Sequence, residues 1–104
     1  MLKINPDPQF TVDDLQITIP GKKDPVKVSM TFKYKNREEL AKFFKSIVGK
    51  PYDKVIPEIV VGWDGFDKAY SQETLKEFLL NYPSAGSEIV SQYESLSLAS
   101  RIKN

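Results

Sequence analysis

The feature that most constrains this chain is the strict alternation from Val26 to Lys35. Val26, Val28, Met30, Phe32 and Tyr34 fall on one side, and Lys27, Ser29, Thr31, Lys33 and Lys35 on the other. A period of two is the geometry of a strand with one face for a core and one for water. A second alternating run, Leu15-Gln16-Ile17-Thr18-Ile19, precedes it, and Pro20-Gly21-Lys22-Lys23-Asp24-Pro25 between the two is turn chemistry. Together they predict an antiparallel β-hairpin over 13–35. Two strands alone are marginal in water, so helices must cover the apolar face.

Helical patterns follow. Asn36 is placed to cap a helix, with Glu39 at the spacing of a capping box. Leu40, Phe43, Phe44, Ile47 and Val48 then recur on one face, and Gly49 and Pro51 supply the stop, which predicts a helix over 37–48. Ser71 caps a second helix, with Glu73 in its first turn and Leu75, Phe78, Leu79 and Tyr82 facing inward; Pro83 ends it. Ser84 starts a last helix carrying Ile89, Val90, Tyr93, Leu96, Ala99 and Ile102, with Arg101 and Lys103 complementing its dipole.

Two stretches resist a single reading. Residues 1–12 carry Pro6 and Pro8 and read as an irregular arm, with an edge strand around Phe10-Thr11-Val12 as the alternative. Val55-Ile56-Pro57-Glu58-Ile59-Val60-Val61 is β-branched enough for a buried strand, but Asp53 can cap a helix whose first turn accepts Pro57. A short buried helix over 53–62 fits the proline better. Gly62-Trp63-Asp64-Gly65 then turns the chain, with the single tryptophan folded over the core. The expected fold class is α+β: an N-terminal antiparallel hairpin, with or without a third edge strand, packed against about four C-terminal helices. A chain of 104 residues predicts one domain, made of the arm 1–12, the hairpin 13–35 and the helical part 36–104.

Composition excludes several function classes. The chain has no cysteine and no histidine, so it lacks a thiolate nucleophile, a Cys-ligated metal site and the usual general base. A net charge of +1 withholds the electrostatic attraction that drives non-specific phosphate binding. No apolar stretch approaches the length of about 18 residues that a membrane helix needs. The first residues carry a charge and a proline where a signal peptide would be apolar, so the expected location is cytoplasmic.

The candidate chemistry is thin. Asp64, Asp67 and Glu73 invite a metal or acid–base reading, but they miss the calcium-loop pattern, and a solvated loop suits them better. Lys22, Lys23, Lys27, Lys33 and Lys35 form a basic edge. Phe32 and Tyr34 point away from it, so the aromatic platform of a nucleic-acid binder is missing, and edge lysines guard against strand pairing. Trp63 reads as a lid on the core, with a partner hot spot as the alternative. No catalytic residue, cofactor or metal site is expected.

Several segments in order resemble a family of bacteriophage tail assembly chaperones. They are the strand Val26–Tyr34 followed by a helix, Glu58-Ile59-Val60-Val61-Gly62-Trp63-Asp64-Gly65, Leu79-Leu80-Asn81-Tyr82-Pro83 with Ala85, and the closing Ala99-Ser100-Arg101-Ile102-Lys103-Asn104. The likeness covers residues 26–104; Pro57 departs from it. It implies a non-enzymatic assembly factor that binds the tape-measure protein and recruits tail-tube subunits in the host cytoplasm, with oligomer formation left open. Such a factor needs apolar surface that a partner can reach, and Phe10, Tyr52, Phe66 and Tyr70 lie outside the clean helical faces. Trp63, Phe66 and Tyr70 are expected to border a groove for an apolar helix of the tape measure. The alternatives are a small nucleic-acid-binding module using the lysine-rich hairpin edge and a minor structural subunit of the tail.

Overall fold

The computed structural model describes residues 1–98. Eight residues of irregular arm lead into strand β1 (Gln9–Ile17), which is followed by β2 (Val26–Lys33), helix α1 (Arg37–Ser46), the single turn α2 (Tyr52–Val55) and a 3₁₀ turn (Ile56–Glu58). Strand β3 (Val60–Asp64) and helices α3 (Gln72–Asn81) and α4 (Ala85–Ser97) complete the described chain. The three strands form one antiparallel sheet with β2 in the centre. The expected α+β architecture holds, with the hairpin packed against the C-terminal helices. Ala99, Arg101, Ile102 and Lys103, expected on the last helix, lie outside the described residues.

The hairpin is longer than its two alternating runs. Phe10-Thr11-Val12, expected within an irregular arm or as a separate edge strand, belongs to β1 and pairs with Phe32, Thr31 and Met30. The register shifts between Val12 and Leu15, where Asp13-Asp14 forms a bulge. One extra residue changes the phase of the strand. Phe10, Val12, Leu15 and Ile17 thereby share the core face although their spacing is not uniform. The opposite face is polar: the Thr11 and Thr31 hydroxyls lie 2.9 Å apart, and Ser29 Oγ donates to Asp13 Oδ1 over 3.1 Å. Both ends of the alternating run are less covered than its pattern suggests, since Val26 and Tyr34 remain exposed.

The stretch 53–62 is not one helix. Pro57 sits in the 3₁₀ turn, where its missing N–H costs no ladder bond, and the chain then straightens into β3. Ile56, Ile59 and Val60 are buried through this change of geometry. Gly62, Trp63 and Asp64, expected in a turn, are strand residues paired with Thr31, Met30 and Ser29. A second bulge between Thr31 and Phe32 keeps Val60 and Trp63 on one side despite their spacing. The chain turns afterwards, at Gly65, whose φ is 88°. The region expected to be wholly helical therefore contains a strand.

The helices end close to where their caps predict. Glu39 N–H donates to Asn36 Oδ1 at 2.9 Å, and Asn36 N–H to Glu39 Oε1 at 2.8 Å. Helix α1 stops at Ser46, two residues before the expected end, because Ile47 already sits in the C-cap position. Ser71 caps α3 as expected. Its box partner is Thr74, whose N–H donates to Ser71 Oγ at 3.0 Å.

At the centre of the core stands Tyr93 of α4, fully buried among Phe10, Phe32 and Phe43 at ring separations of 6.1, 5.1 and 6.2 Å. Its hydroxyl donates to the Lys33 carbonyl at 2.8 Å, so the aromatic that fills the core also satisfies a strand end. Two more α4 side chains reach the free edge of β1. Gln16 N–H donates to Gln92 Oε1 at 2.9 Å, while Gln92 Nε2 donates to the Gln16 carbonyl at 2.8 Å. Glu88 accepts from Thr18 N–H at 2.9 Å and from the Thr18 hydroxyl. A helix side chain thus takes the place of a neighbouring strand. Truncating Gln92 to alanine removes both bonds to Gln16 at a part-exposed site and should cost about 1–2 kcal/mol in urea unfolding. Faster hydrogen exchange at the Gln16 amide would locate the loss.

Candidate partner-binding cleft

Where β3 ends, the chain passes from the sheet to α3 through residues 65–71, and beside this crossing lies a cleft of about 450 Å³. Its sheet side is built by Ile17, Ile19, Val26 and Val28, and its helix side by Thr74, Glu77, Phe78, Asn81 and Tyr82. Trp63, Gly65, Phe66, Asp67 and Lys68 complete the lining. The mixture is an apolar interior with a few polar groups, as small binding clefts commonly have.

Trp63 anchors the crossing. Its indole N–H donates to the Lys68 carbonyl at 2.9 Å, and its ring stacks on Phe66 with centroids 3.8 Å apart and planes 11° from parallel. Phe78 meets both rings edge-on, at 5.7 Å from Trp63 and 5.1 Å from Phe66. Tyr82 extends the series at 5.4 Å from Phe78. Trp63 and Phe66 are only partly buried, so this aromatic series runs from the core to the surface. Edge-on and offset contacts of this kind add about 0.5–1.5 kcal/mol per pair beyond area burial, which stiffens the wall.

The polar groups hold the loop in place. Lys68 Nζ bonds Glu77 Oε1 at 3.0 Å and Oε2 at 3.2 Å across to α3, and the hydrogen bond and charge of Glu77 raise the ammonium above its ordinary pKa. Thr74 Oγ1 donates to the Ala69 carbonyl at 2.8 Å. Tyr70 OH donates to the Val60 carbonyl at 3.0 Å, and burial pushes its phenol above the ordinary value. Asp64 Oδ1 accepts from Gly65 N–H at 2.9 Å, which makes this carboxylate part of the turn. Among the described residues, no group of three or more Asp or Glu side chains could hold a metal ion.

Of the three residues expected to border a groove, Trp63 and Phe66 line the cleft together. Tyr70 stands outside the lining, edge-on to Trp63 at 5.3 Å. The sheet-side wall was not expected. Ile19 and Val26 read as ordinary strand positions, and only their place beside the Pro20–Pro25 turn, where helices have least reach, hints at exposure. Phe78 and Tyr82 read as an inner helix face, which they also are. Phe10 and Tyr52, the other aromatics outside the helical pattern, lie elsewhere: Phe10 stacks on Phe32 at 5.6 Å, and Tyr52 packs on Gly86 of α4.

No described helix is long and apolar enough to cross a membrane. A family model described as "Phage tail assembly chaperone" matches residues 1–104. No curated protein and no solved structure matches the chain.

Proposed function

Because this chain belongs to the phage tail assembly chaperone family, we propose that it binds an apolar helical segment of the tape-measure protein in the cleft walled by Trp63 and Phe66. Bound there, it keeps that segment from aggregating and recruits tail-tube subunits in the host cytoplasm. It acts through binding alone and catalyses no reaction. The observation that carries the reading is the stacked, part-exposed Trp63–Phe66 pair lining a cleft whose other wall includes Ile17, Ile19 and Val26. A helix presenting apolar side chains at i, i+3 and i+4 matches such a wall. The affinity required is moderate, since the partner must later be released. An open cleft with only three charged lining residues, Asp67, Lys68 and Glu77, suits that need.

The polar sheet face gives the nucleic-acid alternative little to work with. Thr11, Ser29, Thr31 and Gly62 lie beside Lys27 and Lys33 there, with no aromatic side chain among them on which a base could stack.

Phe66→Ala tests the cleft. The substitution removes the outer ring of the stack, and the loss of an aromatic anchor of about 1.4 kcal/mol or more should weaken capture of tape-measure segments at least tenfold. Leu80→Ala, at an exposed apolar residue outside the cleft lining, should leave capture unchanged. Equal affinity for wild type and Phe66→Ala, with superimposable circular dichroism spectra, would remove the cleft from the function.

A further inference from the structure

From the charges around the cleft we infer that its occupant is an amphipathic helix whose apolar stripe is bordered on one side by lysine or arginine, with that border against Asp67 and the end of α3. The inference rests on reading the cleft as a docking site and adds the sign of charge that the site selects.

The two sides of the cleft differ in kind. Ile17, Ile19, Val26 and Val28 make the sheet side wholly apolar, so it can take only the apolar stripe of a helix. The charged lining residues all stand on the other side, in the crossing and on α3. There Lys68 is already engaged: its Nζ bonds both carboxylate oxygens of Glu77, at 3.0 and 3.2 Å, and the pair has no net charge. Asp67, next to it in sequence, is exposed and makes no ion pair among the described residues. One carboxylate charge is therefore left over at the rim.

The end of α3 adds to it. Asn81 and Tyr82, its last residue and its C-cap, both line the cleft. A helix C-terminus carries the negative end of the backbone dipole, which lysine or arginine in the last turn offsets in many helices. Helix α3 has no basic residue there. Asp67 and the dipole act from different elements, the crossing and the helix, and have the same sign. The opposite border differs. The turn joining Ile19 to Val26 carries Lys22 and Lys23, both exposed, against Asp24 alone. A helix with cations along both borders would gain on one side and lose on the other. A single cationic border satisfies both, and it fixes which way round the helix lies. Because these groups are exposed and screened by salt, they govern partner choice and association rate more than total affinity, which apolar burial supplies.

Two synthetic peptides test this against the full-length protein. Both are helical and free of tryptophan, and both carry the same leucine stripe at i, i+3, i+4 and i+7 with glutamine along one border. The other border is lysine in one peptide and glutamate in the other. Trp63 is the chain's single tryptophan and lines the cleft, so its fluorescence reports binding there. At low ionic strength the lysine peptide should bind about fivefold tighter than the glutamate peptide, the upper end for one exposed charge contact. High salt should close the gap. Asp67→Lys should abolish or reverse the preference with an unchanged circular dichroism spectrum. Equal affinities in wild type, or a preference that Asp67→Lys does not alter, would overturn the inference and leave the cleft standing as a docking site. If neither peptide moves the Trp63 signal, the cleft is no seat for an apolar helix, and the docking reading falls together with the inference.

Discussion

Tyr93→Ala should lower the unfolding free energy by about 3–5 kcal/mol, the range for removing a buried aromatic ring. The ring touches Phe10, Phe32 and Phe43, so its loss opens a cavity where β1, β2 and α1 meet α4. It also leaves the Lys33 carbonyl without its hydroxyl donor. Tyr93→Phe keeps the ring and removes only the hydrogen bond, at a cost of about 1 kcal/mol. Chemical denaturation of both variants separates packing from polar satisfaction; equal losses would contradict the division.

The phenylalanine variant carries a pH signature as well. Burial pushes the Tyr93 phenol up to about 12, against about 10 in an unfolded chain. The folded state therefore holds this proton more tightly. The stability it contributes is complete below pH 10 and is lost as the pH rises towards 12, because unfolding then releases a proton. Wild type should lose stability over that window more steeply than Tyr93→Phe, with the other tyrosines and the lysines common to both.

The second large effect concerns a residue with no side chain. A Cβ built on Gly86 would stand 2.4 Å from Cγ and 2.6 Å from Cβ of Tyr52. Those atoms lie at the root of the side chain, so rotation of the ring alone cannot clear them, and α2 must move away from α4. Gly86→Ala should destabilise by about 2 kcal/mol, within the usual cost of overpacking, although alanine is the better helix former by about 1 kcal/mol. In a Tyr52→Gly background, which removes the Cβ as well as the ring, the clash is gone and the same substitution should become stabilising. That change of sign in a double-mutant cycle is the measurement to make; a destabilisation unchanged by the background would dismiss the contact.

What was legible in the sequence follows from the range over which each signal acts. The capping box at Asn36 and the cap at Ser71 are local, made by residues three apart, and both are present. The core face of β2 is equally local. A strand in the stretch 53–62 was weighed and set aside for a helix because five residues with a bulge contain no clean period, and because Pro57 argues against a strand without indicating how soon one can begin. The join of Phe10-Val12 to Leu15-Ile17 was hidden for the same reason, since one extra residue at Asp13-Asp14 makes one strand look like two. In the cleft, Trp63 and Phe66 stood out as aromatics outside a helical face. The opposite wall depends on where the hairpin end meets α3, across about fifty residues of chain, and no local pattern encodes that meeting.

The bonds from Gln92 and Glu88 to the edge of β1 join residues 76 and 70 positions apart. On a ribosome, that separation becomes a delay. At about 5–20 residues per second, Gln16 and Thr18 emerge several seconds before the side chains that will occupy their outward backbone groups. Throughout that interval the nascent hairpin offers a template to any extended chain nearby, including its sibling on the same messenger. Closure of that template waits for translation of the last helix, so this small protein is safest when synthesis through α4 is fast.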